Sequence, residues 1–188
     1  MAHRRKSGEK TGEFGLWLTE MLKDQPQFQV YYDHGNPEEN DNVSVIKAFL
    51  GEKVTKENKL AEIDVMVVDQ SDEILLLIEI EESPISPKTL LGDVFASALS
   101  SGFAAVRAGE QTYFRVTQQT QLWVAGYVLS ENSQKTAFLA HIQRKINVLN
   151  KANVTSSVGE VRLIIENDLE SCLEMLKKQT YAFCINHH

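Results

Sequence analysis

Four carboxylates stand at even spacing in two neighbouring apolar runs of this 188-residue chain: Glu62 and Asp64 in Leu60 to Asp69, Glu79 and Glu81 in Glu73 to Glu82. Side chains alternate faces along a strand, so Glu62 and Asp64 share a face with Met66 and Val68, and Glu79 and Glu81 share one with Leu75 and Leu77. A two-residue turn at Ser71 and Asp72 sets Asp64 opposite Glu79 and Glu62 opposite Glu81. Like charges facing each other across a strand pair are destabilising, and a charge in an apolar strand needs a counter-ion. A divalent cation resolves the conflict. Clustered carboxylate oxygens are what Mg2+ or Ca2+ prefers, and carboxylates from two neighbouring strands can hold Mg2+, with Mn2+ as its substitute, while leaving coordination places for water and a phosphate oxygen. The competing reading is a sheet end whose acids face water.

The elements that must position these acids follow from periodicity. Phe14, Leu18, Met21 and Leu22, with Trp17 beside them, predict a helix over residues 12–23. Phe28 to Tyr32 reads as a short strand and Asp33 to Asn42 as a loop, while Val43 to Leu50 carries no decisive pattern. The two acid-bearing runs form a hairpin. Ser86 and Pro87 cap and open a helix to Ser101 with an apolar stripe of Leu90, Leu91, Val94, Phe95 and Ala98. Strand-like runs at Thr112 to Val116 and Leu122 to Leu129 precede a helix from Gln134 to Asn150 with Phe138, Ile142, Ile146 and Leu149 inward. A strand over Val158 to Ile165 and a helix over Leu169 to Lys178, burying Leu169, Leu173 and Leu176, close the chain. The class is α/β (α+β), with residues 1–10 a flexible basic tail and 11–186 one domain.

The run Glu62-Ile63-Asp64, a turn, an apolar strand ending Ile78-Glu79-Ile80-Glu81 and a following helix resembles the PD-(D/E)XK, or restriction-endonuclease-like, nuclease superfamily. The resemblance implies an αβββαβ core with a mixed central sheet flanked by helices, the C-terminal helices being additional. It implies Asp64 and Glu79 as metal ligands. This chain departs from the pattern at the third motif position, where Glu81 replaces lysine, and no proline precedes Asp64. Some members carry Glu-x-Glu, and others take the lysine from the following helix, which makes Lys88 the candidate helper. Glu20 on the first helix is a candidate additional acid, as is Glu62.

Such an enzyme hydrolyses phosphodiester bonds with a metal that polarises the phosphate and activates water. Asp64, Glu79 and the backbone carbonyl of Ile80 would hold the metal, and Glu81 or Lys88 would place the water. DNA is the expected nucleic acid. Its backbone would meet Lys135, Arg144 and Lys145, with Arg107, Arg115 and the tail residues Arg4, Arg5 and Lys6 as further cations. The substitution at Glu81 also supports a second reading, an inactive nuclease-like module that binds nucleic acid or a partner protein. A homodimer or a partner protein would extend the reach of so short a chain.

Other chemistries lack their signatures. No glycine-rich dinucleotide fingerprint, phosphate-binding loop or serine-nucleophile elbow is present. His3, His34, His141, His187 and His188 lack metal-ligand spacing, and the last two read as a purification-tag remnant. Cys172 and Cys184 are too few for a disulfide framework and read as packing residues of a protein in a reducing, cytoplasmic compartment. No run is long and apolar enough to span a membrane. The net charge of -7 hides an asymmetry: residues 52–82 alone carry that same excess of acid, and the first ten residues are basic.

Overall fold

The computed structural model describes residues 8–38, 40–129, 133–152 and 158–186. The chain is mixed α/β: helix α1 (Glu9–Leu22), strands β1 (Phe28–Tyr32), β2 (Val45–Phe49), β3 (Lys59–Ile63), β4 (Val65–Asp69) and β5 (Ile74–Pro84), helix α2 (Pro87–Leu99), strands β6 (Gly102–Arg107), β7 (Glu110–Phe114) and β8 (Gln121–Tyr127), helix α3 (Ser133–Ala152), strand β9 (Glu160–Glu166) and helix α4 (Leu169–Ile185). The strands form two sheets, a mixed one in the order β1-β4-β5-β8-β9 and an antiparallel one in the order β3-β2-β6-β7. In the mixed sheet β4 runs antiparallel to both its neighbours, β1 and β5, whereas β8 and β9 continue parallel to β5.

Alternation on β4 and β5 divides the core in two. Val65, Val67, Leu76, Ile78 and Ile80 join Phe14 and Leu18 of α1 and Cys172, Leu176 and Phe183 of α4 on one face of the mixed sheet. Met66, Val68 and Leu77 join the second sheet, α2 and α3 on the other. Strands buried on both faces read as continuous apolar runs, as β5 does. Ser86 caps α2 by accepting from Thr89 N at 3.1 Å, with Pro87 at the first helical position. Asp168 caps α4 through Ser171 N at 2.8 Å, and this bond holds its carboxyl below the usual range.

Several elements depart from the sequence expectation. The run Leu60 to Asp69 is two strands, because the chain breaks at Asp64 and crosses from one sheet to the other. The β4–β5 turn holds three residues, closing with Asp69 N donating to Glu73 O, and Asp72 takes a positive φ of 58°. A bulge between Val67 and Val68 absorbs the extra residue, so Val65 faces Ile78 and Met66 faces Leu77, the register expected from a two-residue turn. Residues 45–49 and 102–107 are strands that the pattern left unassigned. Helix α1 starts at Glu9, inside the segment expected to be a loose tail. Phe138 is 44 % exposed and Leu139 takes the inward place beside Ile142 and Ile146. No helix is long and apolar enough to cross a membrane, among the described residues.

Candidate active site

The break at Asp64 builds the site. Where β3 ends and β4 begins, the Asp64 carboxylate turns onto β5 and its Oδ2 accepts from Ile80 N at 2.6 Å. In return the Asp64 N–H donates to the Glu79 carboxylate. The last ladder pair of the hairpin is Val65 with Ile78, so this reciprocal exchange carries the pairing one step further through side chains. Glu79 is 7 % exposed and lies on the α2 side of the sheet by its parity with Leu77. Glu81, two residues on, meets Asp93 of α2.

Burial and mutual repulsion dominate the electrostatics. Burial pushes the Asp64 carboxyl up to about 7; the Ile80 N–H and His34 pull it back, while Asp33 and Glu81 push it further. Burial, followed by the charges of Asp64 and Asp93, holds Glu79 well above the usual carboxylate range. Burial and Asp93 push Glu81 up to about 7. Asp93 is also raised, by burial first and Asp64 after it, with Glu81 opposing. Glu81 and Asp93 face each other as a carboxyl pair, a contact that raises Glu81 and opposes the rise of Asp93. Asp93 Oδ2 is buried and receives no bond from a nitrogen or hydroxyl donor.

These acids line one open cavity of about 270 Å³, together with Gly8, Thr11, His34, Glu62, Glu82 and Ser83. Its far wall is the start of α1, whose Gly8 cap offers no side chain to the helix N–H groups. Glu82 supplies one instead, its Oε1 accepting from Lys10 N at 2.8 Å and Thr11 N at 2.9 Å. The third wall is the loop after β1, tied to the strand break by Asp33 N donating to Asp64 O at 2.9 Å.

The structure brings Asp64, Glu79, Ile80, Glu81 and Glu62 to this cavity. Glu62 sits there as an exposed group paired with Lys59 at 2.8 Å; its strand neighbour is Lys47, not Glu81. Lys88 is exposed in the first turn of α2 and does not line the cavity. Glu20 lies nine residues along α1 from Thr11, about 13 Å at the helical rise, exposed and 3.6 Å from Lys23. Arg107 ties the loop after β1, donating to Pro37 O and Asp41 O and pairing with Asp41 Oδ1 at 2.7 Å. Arg115 binds Ser71 O and pairs with Glu73 across the turn. Arg144 and Lys145 are exposed on α3, which packs on β9. Arg4, Arg5, Lys6 and the Lys135 side chain lie outside the described residues, as do His187 and His188. Burial raises the thiols of Cys172 and Cys184 to about 12 and about 11, which suits packing residues.

Asp93 and His34 are the site residues the sequence reading passed over. Asp93 had a signal, since it falls on the inward face of α2 between Leu90, Val94 and Ser97. His34 had none, because only the fold brings its loop to the strand break.

Apart from the His34 imidazole, the donor side chains facing the cavity offer oxygens, the set that a hard divalent cation takes. The buried Asp93 Oδ2, without a nitrogen or hydroxyl donor, and the raised pKa values of Glu79 and Glu81 fit a place for positive charge. Among the described residues, no three Asp, Glu, His or Cys side chains stand as a ready-made metal-holding group. The acids are packed as hydrogen-bonded and paired groups, so ligation requires proton loss and a turn of the side chains. No family model, curated protein or solved structure matches this chain.

Proposed function

We propose that this chain is a divalent-metal-dependent phosphodiester hydrolase, a nuclease of the PD-(D/E)XK type acting on DNA. The observation that carries the reading is the convergence of Asp64, Glu79, Glu81 and Asp93, from a strand break, a strand and a helix, on one cavity that holds them all above the usual carboxylate range. Acidity constants perturbed by burial and by close like charges mark functional clefts more than structural ones. The order α1, β1, β4, β5, α2, β8 supports it too, being the helix, three strands, helix and strand of the expected core with β2 and β3 inserted before β4 and β6 and β7 inserted before β8.

Mg2+ or Mn2+ would neutralise the acids, polarise the phosphate and lower the pKa of a bound water. Asp64, Glu79 and the Ile80 carbonyl are the residues that would hold it. In the metal-free protein the bond from Ile80 N holds the Asp64 carboxylate and that from Asp64 N holds Glu79, and both side chains would turn out of these bonds to take the cation. Glu81 and Asp93 place a carboxyl pair beside them. Without a cation this wall repels a polyanion, which ties phosphate entry to metal occupancy.

A second reading, the inactive module, is favoured by one observation: Lys88, the expected helper, is exposed away from the cavity. Calorimetric titration of Mg2+ and Mn2+ into the wild type, Asp64→Asn and Glu79→Gln, with plasmid cleavage in parallel, separates the two. Binding and cleavage in the wild type, both lost in the variants, establish the hydrolase. A wild type that binds no metal and cuts nothing leaves the module.

A further inference from the structure

The cavity wall carries six carboxylates and neither lysine nor arginine; His34 is its one nitrogen base among the described residues. We propose that the His34 imidazole is the general base of the hydrolysis, taking the role that a motif lysine plays elsewhere. The inference rests on the hydrolase reading and adds to it the group that handles the proton.

The placement is built from several sides. His34 has a positive φ of 62°, a conformation that residues other than glycine rarely adopt. Its own N–H donates to Asp33 Oδ1 at 2.7 Å, and Nε2 lies 3.8 Å from Asp33 Oδ2. Two glycines, the α1 cap Gly8 and Gly12 in its first turn, lie close against His34. A Cβ on Gly8 would fall 2.2 Å from Cγ of the imidazole, and one on Gly12 would fall 2.5 Å from the His34 carbonyl oxygen. The start of the helix is therefore shaped to the histidine, the ring over Gly8 and the backbone over Gly12. The loop that bears it is fastened to the strand break by Asp33 N and Asp64 O, and to β6 by Arg107. The imidazole reaches Asp64 electrostatically. The ring stays open to solvent, its side chain 42 % exposed, as a base that returns its proton to water must be.

In the step itself, a water oxygen forms a bond to phosphorus while its proton passes to a ring nitrogen of His34. The bond from phosphorus to the leaving sugar oxygen breaks, and that oxygen takes a proton from solvent. His34 then returns its proton to solvent, so the cycle closes with one water consumed per bond cut.

Glycine accepts the backbone angles at position 34, so His34→Gly removes the ring without straining the loop. The test compares plasmid cleavage by the wild type and His34→Gly at saturating Mn2+, with and without added imidazole, beside Mn2+ calorimetry and urea denaturation of both proteins. The expected result is a kcat at least about a hundredfold lower, an unchanged Mn2+ affinity and urea midpoint, and recovery on adding imidazole. Cleavage within about threefold of the wild type would overturn the role of His34 while leaving the hydrolase reading intact. A loss that imidazole does not restore, or one accompanied by loss of Mn2+ binding, also overturns it. A wild type that never cleaves removes the hydrolase reading and this inference together.

Discussion

The Glu82 carboxylate accepts the backbone N–H of Thr11 at 2.9 Å, joining the end of β5 to the first turn of α1 across 71 residues of sequence. Lys10 N donates to the same oxygen at 2.8 Å. One side chain from the strand of Glu79 and Glu81 thus caps the helix whose glycines seat His34. Removing it uncaps α1 and releases one wall of the cavity. Glu82→Ala is expected to cost about 1–2 kcal/mol, the range for a lost cap, read from the urea midpoint. Glu82→Gln keeps an accepting oxygen and loses less. A Glu82→Ala protein of wild-type stability would show that α1 is held by its apolar face alone.

The acid cluster fixes how stability depends on pH. Asp64 and Glu81 titrate near 7 and Glu79 well above its ordinary value in the folded chain. In the unfolded chain carboxyls lose their protons near pH 4. Between these limits the folded state binds more protons, so stability falls as pH rises. The metal-free protein is expected to be more stable at pH 5.5 than at pH 8.5, by at least about 3 °C in Tm. Asp64→Asn removes one titrating member of the cluster and flattens this profile. Mg2+ at pH 8.5 restores stability by binding the folded state alone. Thermal melts with EDTA and with Mg2+ read all three effects. A flat profile would mean that the acids are solvated and unperturbed, and one that rises with pH that folding lowers their pKa values.

The shared face of Glu79 with Glu81 was legible before the fold, and for a physical reason: alternation on a strand is local and needs no tertiary information, whereas Glu62 and Asp64 meet at the cavity across the strand break and not on one strand face. The hairpin register came out correctly although the turn was wrong, because the bulge at Val67 and Val68 cancels the extra turn residue. What stayed hidden depends on contacts distant in sequence. The break at Asp64 exists because β3 pairs with β2 in another sheet, and a run that reads as one strand carries no mark of that. Val45–Phe49 and Gly102–Arg107 are short, with strand character supplied by their pairing with each other. Arg107 read as a phosphate contact because nothing local shows that Pro37 and Asp41 would claim it.

Asp93 is the member of the cluster with least support from hydrogen bonds, since its Oδ2 is buried with no nitrogen or hydroxyl donor. Asp93→Asn replaces a repelled charge by a neutral amide that can donate to Glu81. The metal-free variant is expected to be more stable than the wild type at pH 8, by about 1 kcal/mol, and to bind Mn2+ more weakly. Denaturation and calorimetry on the same preparation check both signs. A variant that is less stable and binds normally would make Asp93 a purely structural acid.

Lys88 is exposed in the first turn of α2, where a cation is unfavourable to the helix dipole. Lys88→Ala is expected to leave cleavage within about twofold and to raise stability by a few tenths of a kcal/mol. A kcat reduced a hundredfold would instead mean that α2 moves to bring this lysine to the acids.

Two helical glycines separate backbone propensity from the shape of the site. In an open helix position alanine is better than glycine by about 1 kcal/mol. Gly92 on α2 is such a position: a Cβ there meets nothing within 4 Å, so Gly92→Ala should stabilise by about 0.5–1 kcal/mol and leave cleavage unchanged. Gly12 on α1 offers the same gain in propensity, but its Cβ would fall 2.5 Å from the backbone carbonyl oxygen of His34. Backbone cannot turn aside as a side chain does, so the helix or the loop must move. Gly12→Ala is therefore expected to destabilise by about 1–2 kcal/mol, the cost of overpacking. It should also lower cleavage more than its loss of stability explains, because the displaced group carries the imidazole. Urea midpoints and cleavage rates of the two variants give the comparison. Equal stabilisation by both would mean that the loop of His34 yields freely, and that the cavity wall is softer than its bonds to Asp64 and Arg107 imply.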